Sequence, residues 1–140
     1  MNILFLQGPN LNLLGVKSSR LQKRTTLGKL NKHIKKESHS LNIKLKILQT
    51  HKEFQSINFL QRNRIWADGL IIIPTSWGKT NYTILETINL INIKTVAIYF
   101  NSEYSFGTSF EESIIKSKHI KSFTGSPFQV CSEALKYIIS

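Results

Sequence analysis

A single cysteine, Cys131, in a chain of 140 residues excludes an internal disulfide and a cysteine-rich zinc site. A reducing compartment, the cytoplasm by default, is the expectation. Long apolar runs are missing too. None approaches the roughly 18 residues that a membrane span needs, so no membrane partner is expected. The opening "MNILFLQGPN" has no basic stretch ahead of its apolar run, so no secretory signal is expected. The four histidines, His33, His39, His51 and His119, lie on scattered segments without a shared ligand spacing, which argues against a metal site. His51 stands apart only because it falls at the carboxyl end of an expected strand.

Negative charge is scarce. Eight Asp and Glu face nineteen Lys and Arg, a net charge of +11. That balance invites a nucleic-acid reading. The chain is also rich in Ile, Lys and Asn, whose codons are A/T-rich, so nucleotide bias alone raises the lysine count. The lysines are spread along the chain, and no basic motif is interleaved with aromatics. Solvated faces are the better reading, and nucleic acid is not the expected partner. The positive field still favours any small anionic substrate.

What is present, 41% hydrophobic and 19% charged residues, suits one globular domain over residues 1–140. The runs 3–7, 69–74 and 95–100 are nearly all apolar, as central parallel strands should be. Residues 42–50 alternate Ile43, Leu45 and Ile47 with Lys44 and Lys46, a half-buried strand, and 120–123 is a last short one. Thr25 or Thr26 can cap a helix to about Lys36, with Leu27, Leu30 and Ile34 on one face. Phe54, Ile57, Leu60 and Ile65 predict a helix over 53–66. Further helices are expected over 80–92, 110–116 and 128–139. Alternation of strand and helix predicts an α/β fold: a flavodoxin-like, five-stranded parallel sheet with helices on both faces. Ligands then sit beyond the carboxyl ends of the strands, where the loops 8–24, 74–79 and 101–109 should converge.

The loop "GPNLNLLG", residues 8–15, following a first strand, resembles the type II 3-dehydroquinate dehydratases. "QTHKE" (49–53), "IIIPTSWGKTN" (71–81), "VAIYFNS" (96–102) and "GSPFQVCSEAL" (125–135) extend the resemblance over nearly the whole chain. The resemblance implies removal of water from 3-dehydroquinate to give 3-dehydroshikimate, in aromatic biosynthesis. In that family a tyrosinate, its pKa lowered by an arginine, takes a proton beside the ketone. An asparagine-held water stabilises the enolate, and a histidine protonates the departing hydroxyl. No metal or organic cofactor takes part, and the implied assembly is a trimer-based homododecamer.

Carried over position by position, Asn10 matches the enolate-side asparagine. Glu53 matches an acidic position after the second strand, and Glu86 falls on an aspartate that reaches a neighbouring subunit's substrate. Other positions depart. With no gap in the lid, Lys17 falls on the arginine and Gln22 on the catalytic tyrosine. Ile73 falls on the asparagine that binds the substrate carboxylate, and Lys79 on a hydroxyl-binding histidine. Tyr99 falls on the acid histidine and Ala97 on the glutamate that orients it. Phe100 and Asn101 fall on the leucine and serine that follow, and Phe110 on a second substrate arginine. A glutamine is no base near neutral pH, and loss of a general base alone costs roughly a hundred to ten thousandfold in rate.

Each position also has a plainer reading. Asn10 can be a turn residue bonded to its own backbone. Tyr99 can be an aromatic packed under a loop rather than a replacement acid. Lys79 can be a solvated charge at a helix start rather than a ligand for carboxylate or hydroxyls, or an imine former. Lys17, Arg20, Lys23 and Arg24 make a basic lid in which Arg20 or Arg24 could stand in for the lost arginine. Trp77 and Phe106 are expected to pack the loops, and Phe110 its own short helix. Two functions remain in view. One is a divergent 3-dehydroquinate dehydratase acting on a small anionic polyol. The other is a non-catalytic member that binds an anion or serves as a structural or partner subunit.

Overall fold

The computed structural model describes residues 1–140. In chain order the elements are β1 (Asn2–Gln7), a 3-10 turn (Leu11–Leu13), α1 (Leu14–Lys17), α2 (Leu27–Ser40), β2 (Lys44–Gln49), α3 (Glu53–Arg62), β3 (Gly69–Ile73), α4 (Trp77–Thr80), α5 (Tyr82–Ile91), β4 (Lys94–Phe100), a 3-10 turn (Ser102–Tyr104), β5 (Ile120–Gly125) and α6 (Pro127–Ile138). All strand pairings are parallel, and the order β2-β1-β3-β4-β5 is the flavodoxin-like one that the alternation of elements predicts.

Period-two alternation along the central strands splits the core into two layers. Ile3, Phe5, Ile71, Ile73, Val96 and Ile98 face α2 and α6. Leu4, Leu6, Leu70, Ile72, Ala97 and Tyr99 point the other way, towards α3 and α5. The central strands are apolar on both faces because both are covered. Edge strand β2 instead exposes Lys44 and Lys46, which discourages pairing with another chain.

Local chemistry sets the helix ends. Thr26 Oγ1 accepts from the Lys29 N–H at 3.2 Å and starts α2. Asn81 Oδ1 accepts from the Ile84 N–H at 3.2 Å and starts α5. Pro127 opens α6, where its missing N–H is no loss. Asn92 closes α5 in the left-handed region, φ 58°. Across the outer layer, Ser132 Oγ donates to Glu37 Oε1 at 2.8 Å and lies 2.8 Å from His33 Nε2, tying α6 to α2. No helix is long and apolar enough to cross a membrane.

One expectation needs correction. The helix expected over 110–116 is a turn followed by irregular chain. Its polar groups bond elsewhere: the Ile114 N–H donates to Gly78 O at 2.7 Å, and Ser113 Oγ accepts from the Ile115 N–H and from Tyr99. The helix expected over 80–92 is α5; the short α4 precedes it and ends at Asn81, whose ψ of 75° is not helical and whose side chain caps α5.

Candidate active site

The carboxyl ends of β1 and β3 meet at Gly8. Its N–H donates to Ile73 O at 2.9 Å. A Cβ on it would lie 2.4 Å from Pro74 O, so only glycine permits this approach. Thr75, held at φ 50°, donates its hydroxyl to Pro9 O at 2.7 Å and locks the two loops together. The third strand end joins from the other side, where Gln49 Nε2 donates to Gly8 O at 3.1 Å. On this platform Asn10 takes φ 68°, a left-handed conformation that asparagine tolerates. Its side chain is exposed, and its N–H donates to His51 Nδ1 at 3.2 Å.

The lid is folded back on itself. Ser18 is fully buried, its Oγ 2.8 Å from both Leu14 O and Thr25 O, and it accepts from the Thr25 N–H at 2.9 Å. Arg24 Nε donates to Gly15 O at 3.1 Å. Tyr104 Oη donates to Lys23 O at 2.8 Å and fastens the lid to the loop after β4. These ties leave Lys17, Arg20 and Gln22 exposed.

An open cleft of about 260 Å³ lies between the first and third loops, lined by Asn10, Leu13, Val16, Lys17 and Phe106. Its walls are largely apolar side chains, and Asn10 and Lys17 are the two polar residues among those that line it. Beyond Phe106 is only a remnant void of about 10 Å³ among Ile73, Thr75, Tyr99, Phe100, Phe106 and Thr108. Phe106 borders both spaces, so its ring is the partition between Asn10 and Lys17 on one side and Tyr99 and Ile73 on the other. Gly107, at φ 73°, presses the loop onto Thr75, and the Thr108 N–H donates to Thr75 O at 3.1 Å.

Tyr99 is 3% exposed, donates Oη–H to Ser113 Oγ at 2.7 Å, and meets the Phe110 ring edge-on at 6.0 Å. Burial raises its phenol above the usual value, and the bond to Ser113 offsets this only in part. Burial likewise pushes the Cys131 thiol far up. Both groups hold their protons longer folded than unfolded, so each stabilises the fold fully below its unfolded pKa and loses that contribution as pH rises. Stability should therefore decline from about pH 8.5 to 9, where an unfolded cysteine titrates, and faster beyond about 10, where tyrosine does. Denaturant midpoints from pH 7 to 10.5 check this, with Tyr99→Phe and Cys131→Ala each flattening its part of the slope.

The remaining sequence-predicted positions lie outside the cleft lining. Lys79 is exposed, its Nζ 3.8 Å from Glu112 Oε2. Glu86 is exposed on α5, Asn101 is exposed at the start of a 3-10 turn, and Phe110 is 38% exposed beneath Lys116 Nζ at 4.3 Å. Four residues gain importance that their sequence positions do not advertise. They are His51 on Asn10, Ser113 on Tyr99, Tyr104 on the lid, and Phe106 as partition. His51 alone carries a sequence signal, its place at a strand's carboxyl end.

Residues 1–139 match the family described as Dehydroquinase class II. The 3-dehydroquinate dehydratase of Trichodesmium erythraeum is 30% identical over 139 residues, covering 99% of this chain and 93% of that protein. The Clostridium acetobutylicum enzyme of the same name is 33% identical over 102 residues, covering 73% and 71%. Among solved structures, the type II dehydroquinase from Butyrivibrio crossotus superposes with a TM-score of 0.85 at 22% identity, covering 100% of this chain and 98% of that one. A 3-dehydroquinate dehydratase-like protein from Bifidobacterium longum superposes at 0.68 with 13% identity, covering 99% and 94%. At such identities the superpositions speak for the fold, and the sequence matches speak for descent. A family match over all but one residue, on this strand order and behind this opening loop, makes the chain a member of the class II dehydroquinase family.

Proposed function

We propose that this chain is a 3-dehydroquinate dehydratase with a low turnover, working as one catalytic domain in the cytoplasm. Family membership across residues 1–139 supports the reaction. The observation that carries the site is the cleft beyond the carboxyl end of β1, which Asn10 and Lys17 line together with the apolar Leu13, Val16 and Phe106. Dehydration moves one proton from the carbon beside the ketone to a base, forms an enolate, and expels the hydroxyl with a proton as water. Lys17 supplies a cation for the substrate carboxylate or the growing enolate charge. Asn10 supplies an amide that can hold a water on the enolate oxygen.

The proton donor has two candidates. In neutral His51, Nδ1 accepts from Asn10, so Nε2 bears the proton and can give it up. Tyr99 comes within reach of a substrate once Phe106 swings aside. With Gln22 at the position of the usual base, no side chain of matched pKa waits at the proton to be removed, and turnover is slow for that reason.

The reading includes a homo-oligomer. Tyr82, Glu86 and Leu90 follow each other at four-residue steps on one stripe of α5. Tyr82 is 63% and Leu90 78% exposed, an apolar stripe around the carboxylate that the family directs at a neighbour's substrate.

The test is incubation with 3-dehydroquinate, with the conjugated enone followed by ultraviolet absorbance. The expected result is measurable turnover that falls tenfold or more in Asn10→Ala, with His51→Gln and Tyr99→Phe run in parallel to identify the acid. Absence of product at high concentration of folded protein would refute the enzymatic reading and leave a non-catalytic role.

A further inference from the structure

At the opposite end of the sheet from Asn10, the amino ends of β4 and β5 and the last turn of α6 enclose an open cavity of about 540 Å³, larger than the cleft itself. Lys94, Lys118, Lys121 and His119 line it, with Asn92 and Tyr137, and no carboxylate does. Neither Lys118 nor Lys121 has a carboxylate partner. Lys94 is different. Its ammonium lies 3.0–3.4 Å from backbone oxygens of Tyr137, Ile138 and Ser140, so it is fixed in place and matched by the end of α6. Lys121 lies over the Phe123 ring at 5.8 Å, which restrains it at the rim. The result is one fixed cation and two unmatched ones around a polar hollow.

We propose that this cavity is a binding site for a small oxyanion carrying at least two negative charges, of the size and kind of a diphosphate. Two unmatched ammonium groups favour such a ligand over a monoanion, which would leave one charge uncompensated. A small ligand is favoured over a nucleic-acid strand because Tyr137 is the one tyrosine, phenylalanine or tryptophan in the lining, and there is no row of such rings for successive bases. Lys94 Nζ sits over the Tyr137 ring at 5.1 Å, and the ring is in edge contact with Phe123 at 5.5 Å. This site is independent of the catalytic reading and shares no residue with it.

Calorimetric titration of the folded protein with inorganic pyrophosphate at low ionic strength tests the proposal. One site is expected. Its dissociation constant should rise at least tenfold in Lys118→Ala/Lys121→Ala and stay within twofold in Lys35→Ala/Lys36→Ala, which removes the same charge from exposed positions of α2. Turnover of 3-dehydroquinate should be the same in both double variants. No binding of pyrophosphate, or equal weakening in the two double variants, would overturn the proposal, the second because the general field alone would then account for retention. Displacement of pyrophosphate by single-stranded RNA in stoichiometric amount would overturn the assignment to a small ligand.

Discussion

Gly8→Ala should destabilise the protein by about 2 to 3 kcal/mol, the upper part of the range for forcing an atom into a filled site. The added Cβ would stand 2.4 Å from Pro74 O, 2.8 Å from Thr75 Oγ1 and 2.9 Å from Pro74 C, and two of these three are backbone atoms. Relief by a shift of Gly8 is blocked, because its N–H is bonded to Ile73 O and its carbonyl accepts from Gln49 Nε2. At roughly 3 °C per kcal/mol for a domain of this size, the melting temperature should fall by about 6 to 9 °C. Gly28→Ala is the internal control. Its Cβ would meet nothing closer than Thr26 Oγ1 at 3.9 Å, on an exposed turn of α2, so stability should rise by a few tenths of a kcal/mol to about 1. Thermal unfolding followed by circular dichroism distinguishes the two. A Gly8→Ala protein within about 0.5 kcal/mol of its parent would show that the β1 and β3 loops are not held as tightly as their bonds indicate.

That junction also shows what sequence can and cannot disclose. The runs Ile3–Leu6, Leu70–Ile73 and Val96–Ile98 declare themselves as central strands because burial on both faces leaves no polar positions. From those strands and the alternating helices a parallel sheet follows, and from a parallel sheet follows the end at which a ligand sits. "GPNLNLLG" is legible as a motif because its glycine, proline and asparagines are demanded by local backbone geometry. The contacts that shape the site are of another kind. Asn10 to His51 spans 41 positions and Tyr104 to Lys23 spans 81. No periodicity encodes pairs at such separations. The misread helix at 110–116 has the same origin. Phe110 and Ile114 have helical spacing, but Ser113 and Ile114 are bonded to Tyr99, Ile115 and Gly78, and those bonds outweigh propensity. Phe106 could be expected to pack a loop. That it would divide the cleft from Tyr99 depends on Gly107 and Thr108 pressing its loop onto Thr75.

Gln22→Tyr combined with Lys17→Arg should raise turnover of 3-dehydroquinate by about a hundredfold over the parent chain. The ties of Ser18 to Leu14 and Thr25, and of Arg24 to Gly15, fix both ends of the lid, which leaves little slack for a shift of register between them. On the gap-free lid register we propose, position 22 takes the place of the family's base, on an exposed segment next to Lys23, which Tyr104 fastens down. A tyrosine alone, with a pKa near 10, is ionised to only about one part in a thousand at pH 7. A cation close by lowers such a pKa by roughly 1 to 3 units; the planar, permanently charged Arg does so more firmly than the flexible Lys17 it replaces, and the restored general base is worth roughly a hundredfold or more. The single variants should therefore each fall well short of the double, and the gain should appear in kcat rather than KM because a proton-transfer step is being accelerated. The pH profile offers a second readout, since the limb assigned to the new tyrosine should lie lower when Arg rather than Lys17 accompanies it. A double variant that stays folded, binds substrate and turns over within threefold of the parent would place the fault either in this lid register or in the Phe106 partition. Adding Phe106→Ala to the double then separates two causes. Activity appearing only in the triple variant would locate the obstacle in the partition between Asn10 and Tyr99, whereas continued inactivity would locate it in the lid itself.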